Sequence, residues 1–250
     1  MSNPVRNDLE FYDRVANSWW DEQAPIFTLS RLNPGRFAYF DRFVDAWQGR
    51  RVLDVGCGGG YTCEFLAHRG AQVTGLDLST PCLAMANHHA AQQKLSIDYR
   101  QGVGEALPFA DGSFDVVICV DVLEHVADVK QTCQEIFRVL RPAGLFAFDT
   151  INRTVWSKLV MIHLLENWLK LIPVGVHDWE KFIPPGELKA LLQLIGFSPI
   201  QYAGFNVFGR SPFDFMRAFQ LWQRTQALNV TIDQNVSLMY IGFARKPLRS

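Results

Sequence analysis

The sequence predicts an α/β fold of the doubly wound kind, a mostly parallel sheet with helices on both faces. Three observations predict it. Short apolar runs at 52–55, 71–76, 115–120 and 145–148 alternate with segments of helical period, which is the pattern of βαβ units. A glycine-rich turn, Gly56-Cys57-Gly58-Gly59-Gly60, follows the first run and opens a helix over 61–68. Asp77 ends the second run, 21 residues beyond Gly56. Spacing near ~20 is what sets a carboxylate on a ribose diol in such folds.

Glycine suits the turn because it adopts φ > 0 and lets a ligand approach the backbone. The helix start offers free N–H groups to an anionic or polar ligand. A dinucleotide fingerprint would read G-x-G-x-x-G. Gly56 and Gly58 fit its start, but position 61 is Tyr, and Asp54 precedes the first glycine by two. The run from Asp54 to Gly60 resembles motif I of class I S-adenosylmethionine (AdoMet) methyltransferases. That resemblance implies that Asp54 and the loop backbone at Gly56 and Gly58 hold the methionine end of AdoMet, and that Asp77 holds the ribose hydroxyls. An NAD-dependent oxidoreductase would share the first βαβ unit, and comparing AdoMet with NAD binding separates the two.

The chain has 250 residues, 48% of them hydrophobic, enough for one large domain with an extension. The division expected is a helical lid over 1–48 and an AdoMet-binding domain over 49–250, with an insertion at 153–185. The net charge of −1 gives no global attraction to nucleic acid. Five cysteines, at 57, 63, 82, 119 and 133, lack C-x-x-C spacing and suggest a reducing compartment. The charged start shows no signal peptide. No apolar run reaches the ~18 residues of a membrane span.

The elements follow in order. Residues 1–6 read as frayed. Asn7 reads as the cap of a helix that carries Phe11, Tyr12, Val15 and Trp19 at helical spacing. Trp19-Trp20 is costly to expose, so it either packs on the main domain or lids cofactor and substrate. Asn33-Pro34-Gly35-Arg36 starts a helix over 34–47, with proline in its first turn. A helix over 82–93 and a third strand over 96–100 come next. Residues 102–109 resemble the adenine loop of AdoMet methyltransferases, usually written with an Asp-Ala pair. Val103-Gly104 stand in its place, which leaves their backbone groups, or Glu105, to meet adenine.

The fourth strand, 115–120, is apolar from Val116 on, as in a strand buried on both faces. It ends at Asp121-Val122-Leu123-Glu124-His125. Ligands in open α/β sheets bind beyond the carboxyl ends of the strands, so the methyl acceptor belongs here. A helix over 129–140, a turn at 141–144 and a fifth strand over 145–148 follow. Residues 155–171 then read as a helix of 17 residues, apolar over most of its circumference. Ser157, Lys158, His163, Glu166, Asn167 and Lys170 interrupt it. Trp156, Trp168 and the lysines suit a helix lying on a membrane interface; the other reading buries it beneath a substrate lid. A helix over 186–195 stops at Gly196. Strands over 198–205 and 236–243 close the sheet. Between them a stretch with Phe213, Phe215, Phe219 and Trp222 reads as helical.

Together these pieces resemble the ubiquinone-biosynthesis O-methyltransferases. Trp19-Trp20-Asp21, Arg31-Leu32-Asn33-Pro34 with Arg36, the glycine turn, and Thr74-Gly75-Leu76-Asp77 carry the first part of the resemblance. Leu123-Glu124-His125-Val126, Ile151-Asn152-Arg153, and Gly175 to Leu188 carry the second. The match spans about residues 10–190 and fades after 205. It implies a Rossmann-like, seven-stranded methyltransferase sheet with a reversed last strand. It also implies AdoMet contacts at Arg36, Gly56, Asp77 and Val120, with the Arg36 fork on the methionine carboxylate. The substrate implied is the catechol-type hydroxyl of a polyprenyl-benzoquinol precursor. The location implied is cytoplasmic, peripheral on the inner face of the membrane, with a quinone-synthesis complex as a further partner.

The family's divalent-metal cluster, written E-x-x-E-H, stands here as Asp121, Glu124 and His125, a set compatible with Mg²⁺, Mn²⁺ or Zn²⁺. A free phenol titrates near ~10, and a bound cation would lower that value. Two other readings stand beside it: His125 as general base without metal, or a Glu124-His125 pair that only packs. His177 and Asp178 form a second candidate pair. A methyltransferase for another lipophilic or aromatic molecule, and a non-catalytic AdoMet-binding scaffold, remain as alternatives that turnover on a catechol would separate.

Overall fold

A computed structural model describes residues 6–207, 212–225 and 228–248 of the chain. One sheet of eight strands has the order β3-β2-β1-β4-β5-β8-β6-β7. Strands β1 (Arg51–Val55), β2 (Gln72–Asp77), β3 (Asp98–Gln101), β4 (Phe114–Cys119) and β5 (Leu140–Ile151) run parallel. Strand β8 (Met239–Arg245) lies antiparallel between β5 and β6 (Ile200–Asn206), so the predicted reversed last strand is present. The predicted count of seven is one short. A three-residue edge strand, β7 (Thr231–Asp233), pairs antiparallel with β6. Three residues are too few to show a period of two.

The side chains of the central strands alternate between two cores. Val52, Val116, Ile118, Leu145 and Ala147 enter one. Leu53, Val55, Val117, Cys119, Phe146 and Phe148 enter the other. A strand that feeds two cores needs apolar residues at every position, which is why these runs read as continuous. Phe37 and Phe40 of α2 (Asn33–Phe40) cover the first face. Ile136 of α5 (Val129–Val139) and Leu188 and Leu192 of α7 (Pro185–Ile195) cover the second. Between them α3 (Tyr61–Ala67), α4 (Thr80–Gln92) and α6 (Val155–Ser157) link the strands, and α8 (Pro212–Thr225) precedes β7. The side chains of Phe215 and Phe219 lie outside the described residues.

Several boundaries differ from the sequence reading, each for a physical reason. Strand β5 runs on through Asp149, Thr150 and Ile151, which pair with β8. Polar residues sit at its end because each finds a partner: Asp149 meets Arg36, and Thr150 meets Glu124. Residues 141–144 belong to the same strand as an irregularity in its pairing with β4, not a separate turn. Helix α2 stops at Phe40, and Asp41 just beyond it accepts the Trp47 indole N–H at 2.7 Å. Asn7 caps nothing. The first helix, α1 (Glu10–Val15), has Leu9 at its N-cap and no side-chain cap bond.

The predicted helix over 155–171 begins as the single turn α6, capped by Thr154, and continues as a π-helix, Lys158–Trp168. Such wide helices are rare and collect at functional sites. Val160, Met161, Ile162 and Leu165 enter the first core, while Val155, Trp156, Leu159 and Trp168 are exposed. One face of this segment therefore packs into the core, and the other is exposed. Glu166 is fully buried, yet it accepts four hydrogen bonds: from Arg6 Nη1, the Gly175 and His177 N–H groups, and His177 Nδ1. Burial opposes its charge, but these donors hold its carboxyl below the usual range. No helix among the described residues is long and apolar enough to cross a membrane.

Candidate active site

The carboxyl ends of β1, β2 and β4 open into a cavity of about 680 Å³, a volume within the usual range for small-molecule sites. Arg36, Asp54, Gly56, Gly58, Asp77, Val103, Gly104 and Val120 all line it, as do Asp121 and His125. Glu124 does not. Asn7, Tyr12, Asp13 and Lys181 also line it, and the sequence reading assigned none of them a place here.

The glycine turn forms one wall. Gly56 has φ +73° and Gly58 φ +52°, a region that disfavours any side chain. A Cβ on Gly56 would lie 2.4 Å from Val122, and one on Gly58 would lie 2.4 Å from the Trp19 ring. The Gly56 and Cys57 N–H groups both donate to the Leu76 carbonyl, which ties the turn to the end of β2. Trp20 donates its indole N–H to the Gly59 carbonyl at 2.9 Å and stacks on His89 at 3.6 Å. The tryptophan pair thus both packs on the main domain and covers the turn.

Asp77 sits at the end of β2, and its oxygens accept the Gly58 and Ser79 N–H groups at 2.7 and 2.8 Å. Each oxygen keeps a further lone pair for a hydroxyl donor. Asp54 is 1% exposed. Burial pushes its carboxyl up to about 7, against a hydrogen bond from the Cys63 thiol. The glycine cradle and the two acids at successive strand ends fit a ligand with a ribose and a cationic amino-acid end, as AdoMet has. In the predicted adenine loop one candidate is already engaged. Glu105 accepts the Ala127 and Asp128 N–H groups at 2.7 and 3.2 Å. It is committed to the start of α5, which leaves Val103 and Gly104 of the predicted adenine loop on the cavity wall.

Arg36 is also committed. Its Nε donates to Asp149 at 2.5 Å and its Nη2 to Asp121. Burial works against the guanidinium charge, but the two carboxylates outweigh it and raise its pKa. Only Nη1, in a 3.4 Å contact with Asn33 Oδ1, stays available for a ligand carboxylate. The free fork expected from the resemblance is absent because two buried acids already occupy it.

The predicted metal ligands diverge for a related reason. Asp121 faces Arg36. Glu124 is buried and accepts from Thr150 Oγ1 at 2.8 Å. His125 turns its Nδ1 to Asn7 Oδ1 at 2.8 Å. Among the described residues no three His, Cys, Asp or Glu side chains converge on one point. The residues present do not fit a resident divalent cation in this arrangement. Burial first, then the Asp121 charge, pushes the Glu124 carboxyl up to about 8. Burial, His177 and Lys181 push His125 down to about 3, so its imidazole is neutral. His177 lies 5.5 Å from the His125 ring and is held by Glu166, whereas Asp178 caps a short turn. The two do not act as a pair.

Comparison with known proteins follows the same line. A methyltransferase domain family matches residues 53–148. The ubiquinone biosynthesis O-methyltransferase of Actinobacillus pleuropneumoniae serotype 5b is 39% identical over 193 residues, covering 75% of this chain and 82% of that protein. The one from Alkalilimnicola ehrlichii is 42% identical over 183 residues, covering 73% and 74%. The chain belongs to the ubiquinone biosynthesis O-methyltransferase family. As a member of that family it is an AdoMet-dependent O-methyltransferase. Solved structures agree on the fold. A methyltransferase from Thermotoga maritima superposes with TM-score 0.61 at 18% identity, covering 95% of this chain and 98% of that one. An N-methyltransferase from Haemonchus contortus, solved with S-adenosylhomocysteine, gives 0.62 at 18%, covering 95% and 60%.

Proposed function

We propose that this O-methyltransferase methylates the catechol-type hydroxyl of a polyprenyl-benzoquinol precursor in ubiquinone synthesis. The observation that carries the proposal is the single cavity that joins the glycine turn and Asp77 to His125. Cofactor and acceptor groups thereby share one cavity, and holding reactants together in this way lowers the barrier to a displacement. Bound AdoMet supplies a methyl group on a sulfonium, the reactive part of the chemistry.

The chain's own residues supply the rest. Asp77 holds the ribose hydroxyls, Asp54 meets the cationic methionine end, and the Val103-Gly104 backbone borders adenine. Val120 packs at the end of β4. Arg36 holds Asp121 and Asp149 in place by hydrogen bonds, with Nη1 toward the cofactor carboxylate. His125 takes the acceptor proton. Its neutral ring can accept one, and its basicity rises as negative charge builds on the oxygen beside it. Tyr12 and Trp19 enclose the acceptor side, and residues 1–48 act as a lid over it. The exposed Val155, Trp156, Leu159 and Trp168 suit contact with a membrane surface, where a polyprenyl substrate resides.

The test is methyl transfer from labelled AdoMet to a short-tailed dihydroxybenzoate or benzoquinol, with and without EDTA. Turnover that persists in EDTA and falls ~100-fold or more in His125→Ala is expected for a general base. Turnover lost in EDTA and restored by Mg²⁺ would instead show Asp121 and Glu124 rearranging around a cation. AdoMet binding without turnover on any catechol would move the acceptor to another lipophilic molecule or leave a scaffold.

A further inference from the structure

A second cavity, of about 290 Å³, lies beside the first. Its floor is apolar, made by Leu123, Val126, Phe182, Ile183, Leu188 and Leu191. Leu123, Phe182 and Leu188 are at most 1% exposed. Leu188 and Leu191 stand one turn apart on α7 and so share a face. The two cavities have Val126, Ala127 and Lys181 in common, so these three residues form the partition between them. Lys181 Nζ donates to the His125 and Val126 carbonyls at 3.3 and 2.7 Å, which lays its side chain along that partition.

The rim of this second cavity is charged, and its cations are committed to protein groups. Arg153 Nη2 donates to both Glu187 carboxylate oxygens at 2.8 and 3.0 Å, and Arg153 Nη1 to the Glu180 carbonyl at 3.2 Å. The Glu187 side chain is 61% exposed, so this pair marks the outer side. A polar ligand would have to break these contacts. An apolar one need only fill the floor, and a cavity lined by apolar side chains is a ready site for it. Arg153 also stands two residues before Val155, where the exposed face through Trp156 and Leu159 begins. The second cavity therefore borders the main cavity at Lys181 and the start of that apolar face at Arg153. The stretches 151–153 and 175–188 meet here, and the main cavity touches them only through Lys181.

We propose that the second cavity takes the first isoprenoid units of the acceptor's tail, with the ring in the main cavity and the tail crossing at Val126 and Ala127. This rests on the reading of the acceptor as a polyprenyl catechol. An isoprene unit has no hydrogen-bonding group, so it needs apolar walls and removal from water, and the floor supplies both. Later units run past the Arg153–Glu187 pair toward Val155 and Trp156. The crossing needs room beside Lys181. Its ammonium sits on a flexible four-carbon stem, so the partition opens by a swing of that side chain and the release of its two carbonyl contacts. The tail takes no part in methyl transfer. Contacts to it are equal in the ground and transition states and act on KM rather than on kcat.

The experiment uses the full chain with AdoMet and two acceptors, a tail-less dihydroxybenzoate and its geranylated form. The ratio of kcat/KM for the geranylated over the tail-less acceptor is measured in wild type and in Leu191→Trp, whose indole would fill the floor. Wild type should favour the geranylated acceptor, and the variant should lose about tenfold or more of that ratio, through KM. An unchanged ratio overturns the proposal. A second measurement needs neither turnover nor a variant, and decides alone if Leu191→Trp melts well below wild type. A geranylated catechol with a diazirine at its tail end is photolysed on the wild-type protein. Adducts that the diazirine-free compound competes away are mapped by mass spectrometry. They should fall on 126–129 and 188–191. Adducts confined to other walls of the main cavity or to 155–168 overturn the tail site. Adducts at the expected place without turnover on any catechol keep the tail site and overturn the acceptor chemistry of the proposed function. Turnover with adducts elsewhere overturns the tail site alone.

Discussion

Asp54 and His125 are both buried at the cavity wall, and burial drives their pKa values in opposite directions. Burial disfavours whichever form is charged, so the carboxyl goes up to about 7 and the imidazole down to about 3. For His125 this keeps the ring neutral through the physiological range, and no acid limb from its protonation is expected in turnover above about pH 5. For Asp54 the shift becomes visible in binding. A cationic amino-acid end held beside it favours the carboxylate, so AdoMet binding releases a proton and tightens as pH rises. We expect affinity for AdoMet to rise severalfold between about pH 6 and 7.5, and Asp54→Asn to bind more weakly with that slope flattened. Calorimetry in buffers of different ionisation enthalpy would count the proton. An unchanged slope in Asp54→Asn would place the cofactor's ammonium elsewhere. The local motifs pick out both residues but not the direction of their shifts, since their environment is made by distant elements.

At the scale of elements, the glycine turn and the inserted helix make an instructive contrast. The turn was legible residue by residue, because its positive φ values and its approach to Val122 and Trp19 restrict each glycine by local geometry. The insertion was legible only as an apolar segment. Which of its faces packs inward was decided by the π-helical path, which buries Val160 and Met161 and leaves Trp156, Leu159 and Trp168 outside. Trp168 is 78% exposed, a large apolar area to leave in water. If that face rests on lipid, flotation with liposomes should be lost in the Trp156→Asp, Leu159→Asp, Trp168→Asp triple variant, with melting temperature near wild type. The same substitution at the buried Val160 would unfold the protein and report nothing about lipid. Wild-type flotation by the folded triple variant would remove the membrane contact from this face.

For the molecule as a whole, Glu124 links the site to stability. Its folded pKa is about 8, raised from 4.5. The unfolded chain therefore releases this proton while the folded one keeps it. The contribution is intact below the unfolded value and is lost progressively as pH rises toward 8. His125 acts with the opposite sign, its contribution being lost as pH falls from 6.5 toward 3. Glu124→Gln keeps an amide that can accept from Thr150 and has no proton to lose. Its melting temperature relative to wild type should climb by a few degrees between about pH 5 and 8. A constant difference across that range would mean that Glu124 is ionised in the folded protein. The sequence by itself determined the alternation of strand and helix, the glycine turn, the place of Asp77 and the family. The glycine turn and the place of Asp77 are written within about 25 residues and the rest in a succession of such stretches, where period, spacing and φ are local properties. Only the tertiary structure decided the partners of the polar side chains. Arg36 reaches Asp149 across 113 residues and Asn7 reaches His125 across 118. A buried charge or ring nitrogen takes whatever donor or acceptor the packed chain brings within about 3 Å, and no local pattern records which one that will be.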